Sequence, residues 1–263
     1  DEAKHFDGFA SACGYKSDAE WNLLDGLKGE PNFHLLANTE ATGFLHADED
    51  PARITGVVCG NGESYQADAV VLAAGAMSSP RLLQDYLETT GLGDRLPSAP
   101  LVGTNFKLHV NSALLGFSPF KKSDVLRKTA IFFNGSDTDN RVISCGGHGG
   151  LPVLDYELAR LPASQQEHHG LIQAFEKALR GAGMLGVSRY MGLAGTAHAL
   201  GSLVTGNDPE ASVVDAHGCV HGMQGLYVAD GSVLPRSSRV NPALTIYAWG
   251  LRLGQHLAEG GQQ

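Results

Sequence analysis

The run Val70-Val71-Leu72-Ala73-Ala74-Gly75-Ala76 restricts the fold more than any other stretch of the chain. It is continuously apolar, as a central parallel strand covered on both faces would be, and it ends in residues small enough to let a ligand approach the backbone. Met77-Ser78-Ser79-Pro80 and then RLLQDYL follow, so a helix is expected with Ser79 as its cap and Pro80 as its first residue. A second strand-like run, Leu226 to Ala229, stops at Asp230-Gly231, and a polar loop leads to Asn241-Pro242 at the head of the apolar run 243–253. Asn is a favoured cap and Pro a favoured first residue, which predicts another helix opening at Asn241 and Pro242. The N–H groups of its first turn would face whatever lies beyond the strand ends, and would favour negative charge there.

Between and around these units the pattern varies. Ser17-Asp18 before AEWNLLDGL predicts a capped helical segment, and residues 33–73 read as strands with a hairpin-like turn at Gly60-Asn61-Gly62. From Val110 to about Met191, short β-like runs broken by glycines precede an amphipathic helical stretch, QQEHHGLIQAFEKALRGAGM, as in an antiparallel sheet carrying a helix. The formal net charge of -9 argues against nucleic acid or an anionic membrane surface as the main partner. No apolar run approaches the ~20 residues of a spanning helix. Asp1-Glu2-Ala3-Lys4 shows no secretory leader, and the compartment stays open. Four widely spaced cysteines without a Cys-x-x-Cys pair favour isolated thiols, and His168-His169 lacks acidic or Cys partners at ligand spacing, so no metal site is expected.

Several motifs carry a resemblance. HALGSLVTGNDP, then SVVDAHGCVHGMQGLYVADGSVLP, then VNPALTIYA, resembles the carboxyl-terminal signature of the glucose-methanol-choline oxidoreductases, flavoenzymes that oxidise alcohols with FAD. AGAMSSPRLLQ is similar to a second signature of that family, and LVGTNFKLH to the segment where the chain leaves the cofactor domain, with His109 structural. The resemblance implies an α/β protein, with part of a Rossmann-like FAD-binding domain in 1–109 and 195–263 and an antiparallel α+β substrate domain in 110–194. It implies His198 and Asn241 as the catalytic pair. Backbone contacts to FAD would come from Ala41, Gly75, Ala76, Asp230, Gly231, Asn241, Pro242 and Ala243. Anchoring on Gly195-Thr196 instead spoils the spacing to Gly206-Asn207-Asp208-Pro209, which favours His198.

Hydride transfer from an alcohol requires a base for the hydroxyl proton, a group that holds the oxygen, and stabilisation of charge on the reduced flavin. An imidazole titrating near neutrality suits the first role, and the Asn241 amide suits the second without titrating. Arg236 and Arg239 flank the loop before Asn241 and read as solvated. The Gly-x-Gly-x-x-Gly turn that cradles a dinucleotide pyrophosphate is not in these residues. The expectation is therefore a carboxyl-terminal half, completed by a second polypeptide. The activity expected is oxidation of an alcohol or sugar. A non-catalytic half and a flavin-containing lyase are the alternatives.

Overall fold

The computed structural model describes residues 17–117, 129–132, 142–148, 151–157, 162–190, 197–236 and 241–260. The chain divides into two compact units, one of Asp1–Asn38 with Val110–Thr196 and one of Thr39–His109 with Ala197–Gln263.

The second unit carries every candidate site residue. It opens with an antiparallel sheet of β1 (Ala41–Ala47), β2 (Asp50–Cys59) and β3 (Ser64–Gln66). The β2–β3 turn uses Gly62 at φ 86°, a conformation that glycine adopts without a Cβ penalty. Strand β4 (Val70–Leu72) then pairs in parallel with β11 (Leu226–Val228), so that Val70, Val71 and Leu72 face Leu226, Tyr227 and Val228. The parallel pairing matches the sequence reading, but full coverage does not. Val70 and Leu72 are buried while Val71 is 42% exposed, so the strand is covered on one face and open on the other.

Helix α2 (Gly75–Thr90) covers that buried face through Leu83, Tyr86 and Leu87. Tyr86 meets Phe44 of β1 edge-on at 5.3 Å, and its hydroxyl donates to the Pro51 carbonyl at 2.6 Å. Burial pushes the Tyr86 phenol up to about 12, which keeps it a donor at any physiological pH. The core is completed by Val213, Val214, Val220 and Met223 beside β11, and by Leu203 and Val233 from the strand-end segments. Helix α4 (Ala243–Ala258) attaches through Leu253 and through Trp249, whose indole N–H donates to the Val228 carbonyl at 2.9 Å. Its Leu244 and Leu251 remain exposed.

The other unit is antiparallel, as the glycine-broken β runs suggested. Within it, β5 (Lys107–Phe117, from Val110 onward) pairs with β9 (Leu185–Tyr190). Strand β7 (Val142–His148) pairs with both β6 (Thr129–Phe132) and β8 (Leu151–Glu157). Helix α3 (Pro162–Gly181) lies against β9, where the Leu179 side chain sits so near Gly186 that a Cβ there would come within 3.1 Å. Short helical turns at Glu20–Leu24 and α1 (Asp25–Leu27) follow Asp18, whose carboxylate accepts the Trp21 N–H at 2.8 Å. Trp21 and Leu27 are nonetheless exposed. Among the described residues, no helix is long and apolar enough to cross a membrane.

Candidate active site

The carboxyl ends of β4 and β11 each run into a tight turn, and a third segment lies across them. After β4 the chain turns at Gly75, whose φ of 83° excludes most side chains and whose Cβ position faces open space. After β11 it turns at Gly231, for the opposite reason. A Cβ there would lie 3.0 Å from Leu200 Cδ2, 3.1 Å from the Ala199 carbonyl and 3.2 Å from Ile246 Cδ1. The third segment begins with β10 (Ala197–Leu200), which pairs antiparallel with β5 at Ala197–His109 and Leu200–Lys107. Gly201 N–H then donates to Gly231, Leu203 N–H to Ser232 and Thr205 N–H to Val233. Gly231 is therefore the place where β10, the β11 turn and α4 converge.

Side chains stitch the same three segments. The Asp230 carboxylate is 6% exposed and accepts from the Gly75 N–H at 2.9 Å, the Ser79 hydroxyl at 2.5 Å and the Ser232 N–H at 2.8 Å. Ser79 Oγ in turn accepts the Ala74 N–H at 3.1 Å. The Ser202 hydroxyl, 1% exposed, donates to the Ala76 carbonyl at 2.6 Å. That carbonyl stands four residues before Pro80, which has no N–H to give it, so Ser202 supplies the donor the helix lacks.

These contacts correct the expected start of α2. The helix opens at Gly75, a turn earlier than Ser79-Pro80 suggested, with Ala74 at its cap position. Pro80 is tolerated inside because Ser202 covers the freed carbonyl. The start of α4 also differs. It begins at Ala243 with Pro242 at the cap position, its carbonyl accepting the Ile246 N–H at 3.0 Å, and no side chain caps it. Asn241 is exposed, and among the described residues its amide is not held by the helix it precedes. Asn241, expected as the cap, therefore does not cap α4.

His198 sits on β10 with φ 62°, one of two described non-glycine residues with positive φ. Such a conformation costs about 1–3 kcal/mol and persists only where surrounding structure imposes it. Here the imposition comes from β10 pairing on one side and the Gly201–Gly231 bond on the other. The residue is partly buried. Ala41 lies at the exposed start of β1, paired with Cys59, and none of the bonds that join the three segments reaches it. Arg236 is exposed. The His109 and His168 side chains, Arg239 and the Gly195-Thr196 alternative lie outside the described residues.

Sequence reasoning missed Ser79 and Ser202 as connectors, and it assigned Asp230 only a backbone role. The motif Gly206-Asn-Asp-Pro and the Val214-Asp215 turn are structural. Asp215 Oδ1 accepts the N–H groups of His217 and Cys219 at 2.8 and 2.9 Å, and the Ser212 hydroxyl donates to the Asp208 carbonyl at 2.6 Å.

Family models for GMC oxidoreductase match residues 3–111, with the amino-terminal model, and 173–250, with the carboxyl-terminal one. The chain belongs to the GMC oxidoreductase family. It is 36% identical over 138 residues to 6'''-hydroxyparomomycin C oxidase of Streptomyces lividus, covering 51% of this chain and 25% of that protein. Paromamine 6'-oxidase of Streptomyces fradiae is 34% identical over 137 residues, with the same coverage of 51% and 25%. Cholesterol oxidase of Mycobacterium tuberculosis is 47% identical over 53 residues, 20% of this chain and 9% of that one. The chain thus spans about a quarter of the length of the first two of these relatives.

Among solved structures, an FAD-dependent oxidoreductase from Chaetomium thermophilum superposes with a TM-score of 0.70 at 16% identity, covering 94% of this chain and 65% of that one. Pyridoxine 4-oxidase from Mesorbium loti gives 0.67 at 18%, covering 92% and 61%. The α/β fold is that of these oxidoreductases. The match over residues 3–111 corrects one expectation, because the chain includes sequence from both family domains and not a carboxyl-terminal half alone. The second polypeptide inferred from the missing glycine fingerprint is correspondingly unsupported.

Proposed function

We propose that this chain is part of an FAD-dependent oxidoreductase that oxidises a CH–OH group of a small molecule, with His198 as general base and Asn241 as the group that holds the substrate oxygen. The observation that carries the reading is His198, held at positive φ on the segment that bonds directly to the Gly231 turn. The residues present fit part of the cofactor. Above Gly75 the backbone borders open space, and α4 opens with first-turn N–H groups that no side chain caps. Gly75 and Ala76, Asp230 and Gly231, and Asn241 to Ala243 would hold it, whereas Ala41 as a contact to FAD rests on the resemblance alone. FAD, when bound, supplies the hydride acceptor.

In this reading the His198 imidazole takes the hydroxyl proton as the C–H bond is broken. Asn241 donates a hydrogen bond from its amide to the same oxygen and fixes the carbinol C–H in direction. The amino end of α4, at Pro242 and Ala243, favours negative charge beside it.

The test is anaerobic mixing of the FAD-loaded protein with paromamine, a primary alcohol series and cholesterol, following the visible flavin band. Bleaching by at least one alcohol is expected, and would exclude both a lyase and a non-catalytic half. A flavin that no alcohol bleaches, although dithionite does, would overturn the proposal.

A further inference from the structure

The Asp230 carboxylate is a bridge between two turns that are far apart in the chain. One oxygen accepts from Ser232, in its own turn; the other accepts from Gly75 and Ser79, in the turn after β4. A buried carboxylate is costly unless its acceptor positions are filled, and here three donors fill them. The side chain is thus engaged in holding together the two turns that the FAD reading above places against the cofactor.

We propose that Asp230 is a positioning residue for FAD, which sets the separation of the Gly75 and Gly231 turns through its side chain, with Ser79 as its relay to the Ala74 N–H. The proposal rests on the FAD reading above. Its geometry makes the carboxylate irreplaceable by its own amide. In Asp230→Asn, the amide nitrogen must face either the Ser232 N–H or the Gly75 N–H, since it cannot accept from either. One turn is released whichever way the amide lies. Ser79→Ala is milder, because Gly75 and Ser232 still hold the carboxylate.

The experiment measures the FAD dissociation constant, the visible circular dichroism of bound flavin, and the unfolding midpoints of the apo- and FAD-loaded full-length protein, for native, Asp230→Asn and Ser79→Ala forms. The expected result is a rise in the dissociation constant of about tenfold or more for Asp230→Asn and roughly twofold to tenfold for Ser79→Ala, with an altered dichroic spectrum in both. A purely structural role lowers the apo and loaded midpoints alike, and leaves affinity and dichroism unchanged. That result would overturn the proposal. Should Asp230→Asn not fold, Ser79→Ala decides alone. Failure of the native protein to bind FAD would instead refute the reading on which the proposal rests.

Discussion

The two ends of the β4–β11 pair differ sharply. At the amino end lies an open cavity of about 460 Å³, lined by Arg53, Gln66, Asp68 and Gln224 among others. At the carboxyl end, three chain segments are drawn together by Asp230, Ser79 and Ser202, and Gly231 is closed in by Leu200, Ala199 and Ile246. That cavity lies at the end without candidate residues. Ligands of parallel α/β sheets bind beyond the carboxyl ends of the strands, where turns expose backbone and helix amino termini begin. On the reading proposed above, the end with the buried polar contacts holds the cofactor, and the open cavity does not.

The largest effect expected from this contrast is on chemistry. His198→Ala should slow flavin reduction by ~10²–10⁴, the range for loss of a general base, while Asp68→Asn at the amino end should leave it within about twofold. Stopped-flow absorbance under single-turnover conditions measures both. Comparable losses from the two variants would erase the distinction between the ends.

Next come the glycines. Gly231→Ala should cost about 1–3 kcal/mol, because its Cβ meets three neighbours from two elements within 3.2 Å. Gly75→Ala should cost about 1 kcal/mol from backbone strain alone, since its Cβ would meet nothing within 4 Å. Denaturant titration of both variants separates a closed turn from an open one. Equal costs would mean that the two turns are not built differently.

Ser202→Ala should destabilise by about 1–3 kcal/mol, the cost of leaving the buried Ala76 carbonyl without a donor. In a Pro80→Ala background the restored N–H can serve that carbonyl, so the same change should cost less. A double-mutant cycle with no coupling would remove Ser202 as the partner of the proline. The smallest effect belongs to Ser232. Its Oγ is buried without a hydrogen-bond partner among the described residues, so Ser232→Ala should shift stability by no more than about 0.5 kcal/mol.

Much of this carboxyl end was legible in the sequence. Apolar runs ending in Ala-Gly or Asp-Gly announce strand-end turns, and β4 and β11 appear where Val70 and Leu226 begin those runs. The family motifs led to His198 and Asn241. What stayed hidden is non-local. Ser79-Pro80 looks like a helix start because Ser caps and Pro opens helices, yet their partners, Asp230 and Ser202, lie 151 residues from Ser79 and 126 residues from Ala76 respectively. No local pattern shows that a carbonyl freed by proline will be met by a hydroxyl so distant. Likewise, the apolar run at Val71 could not show that one face of β4 is left open.

The most direct test of the central claim is hydrogen exchange of the full-length protein with and without FAD, read peptide by peptide. Protection on FAD binding is expected at residues 73–79, 229–234 and 241–246, around the carboxyl ends of β4 and β11. Protection confined to 53–55, 66–68 and 224–227, around the amino-end cavity, would contradict the account and move the cofactor to the other end of the sheet.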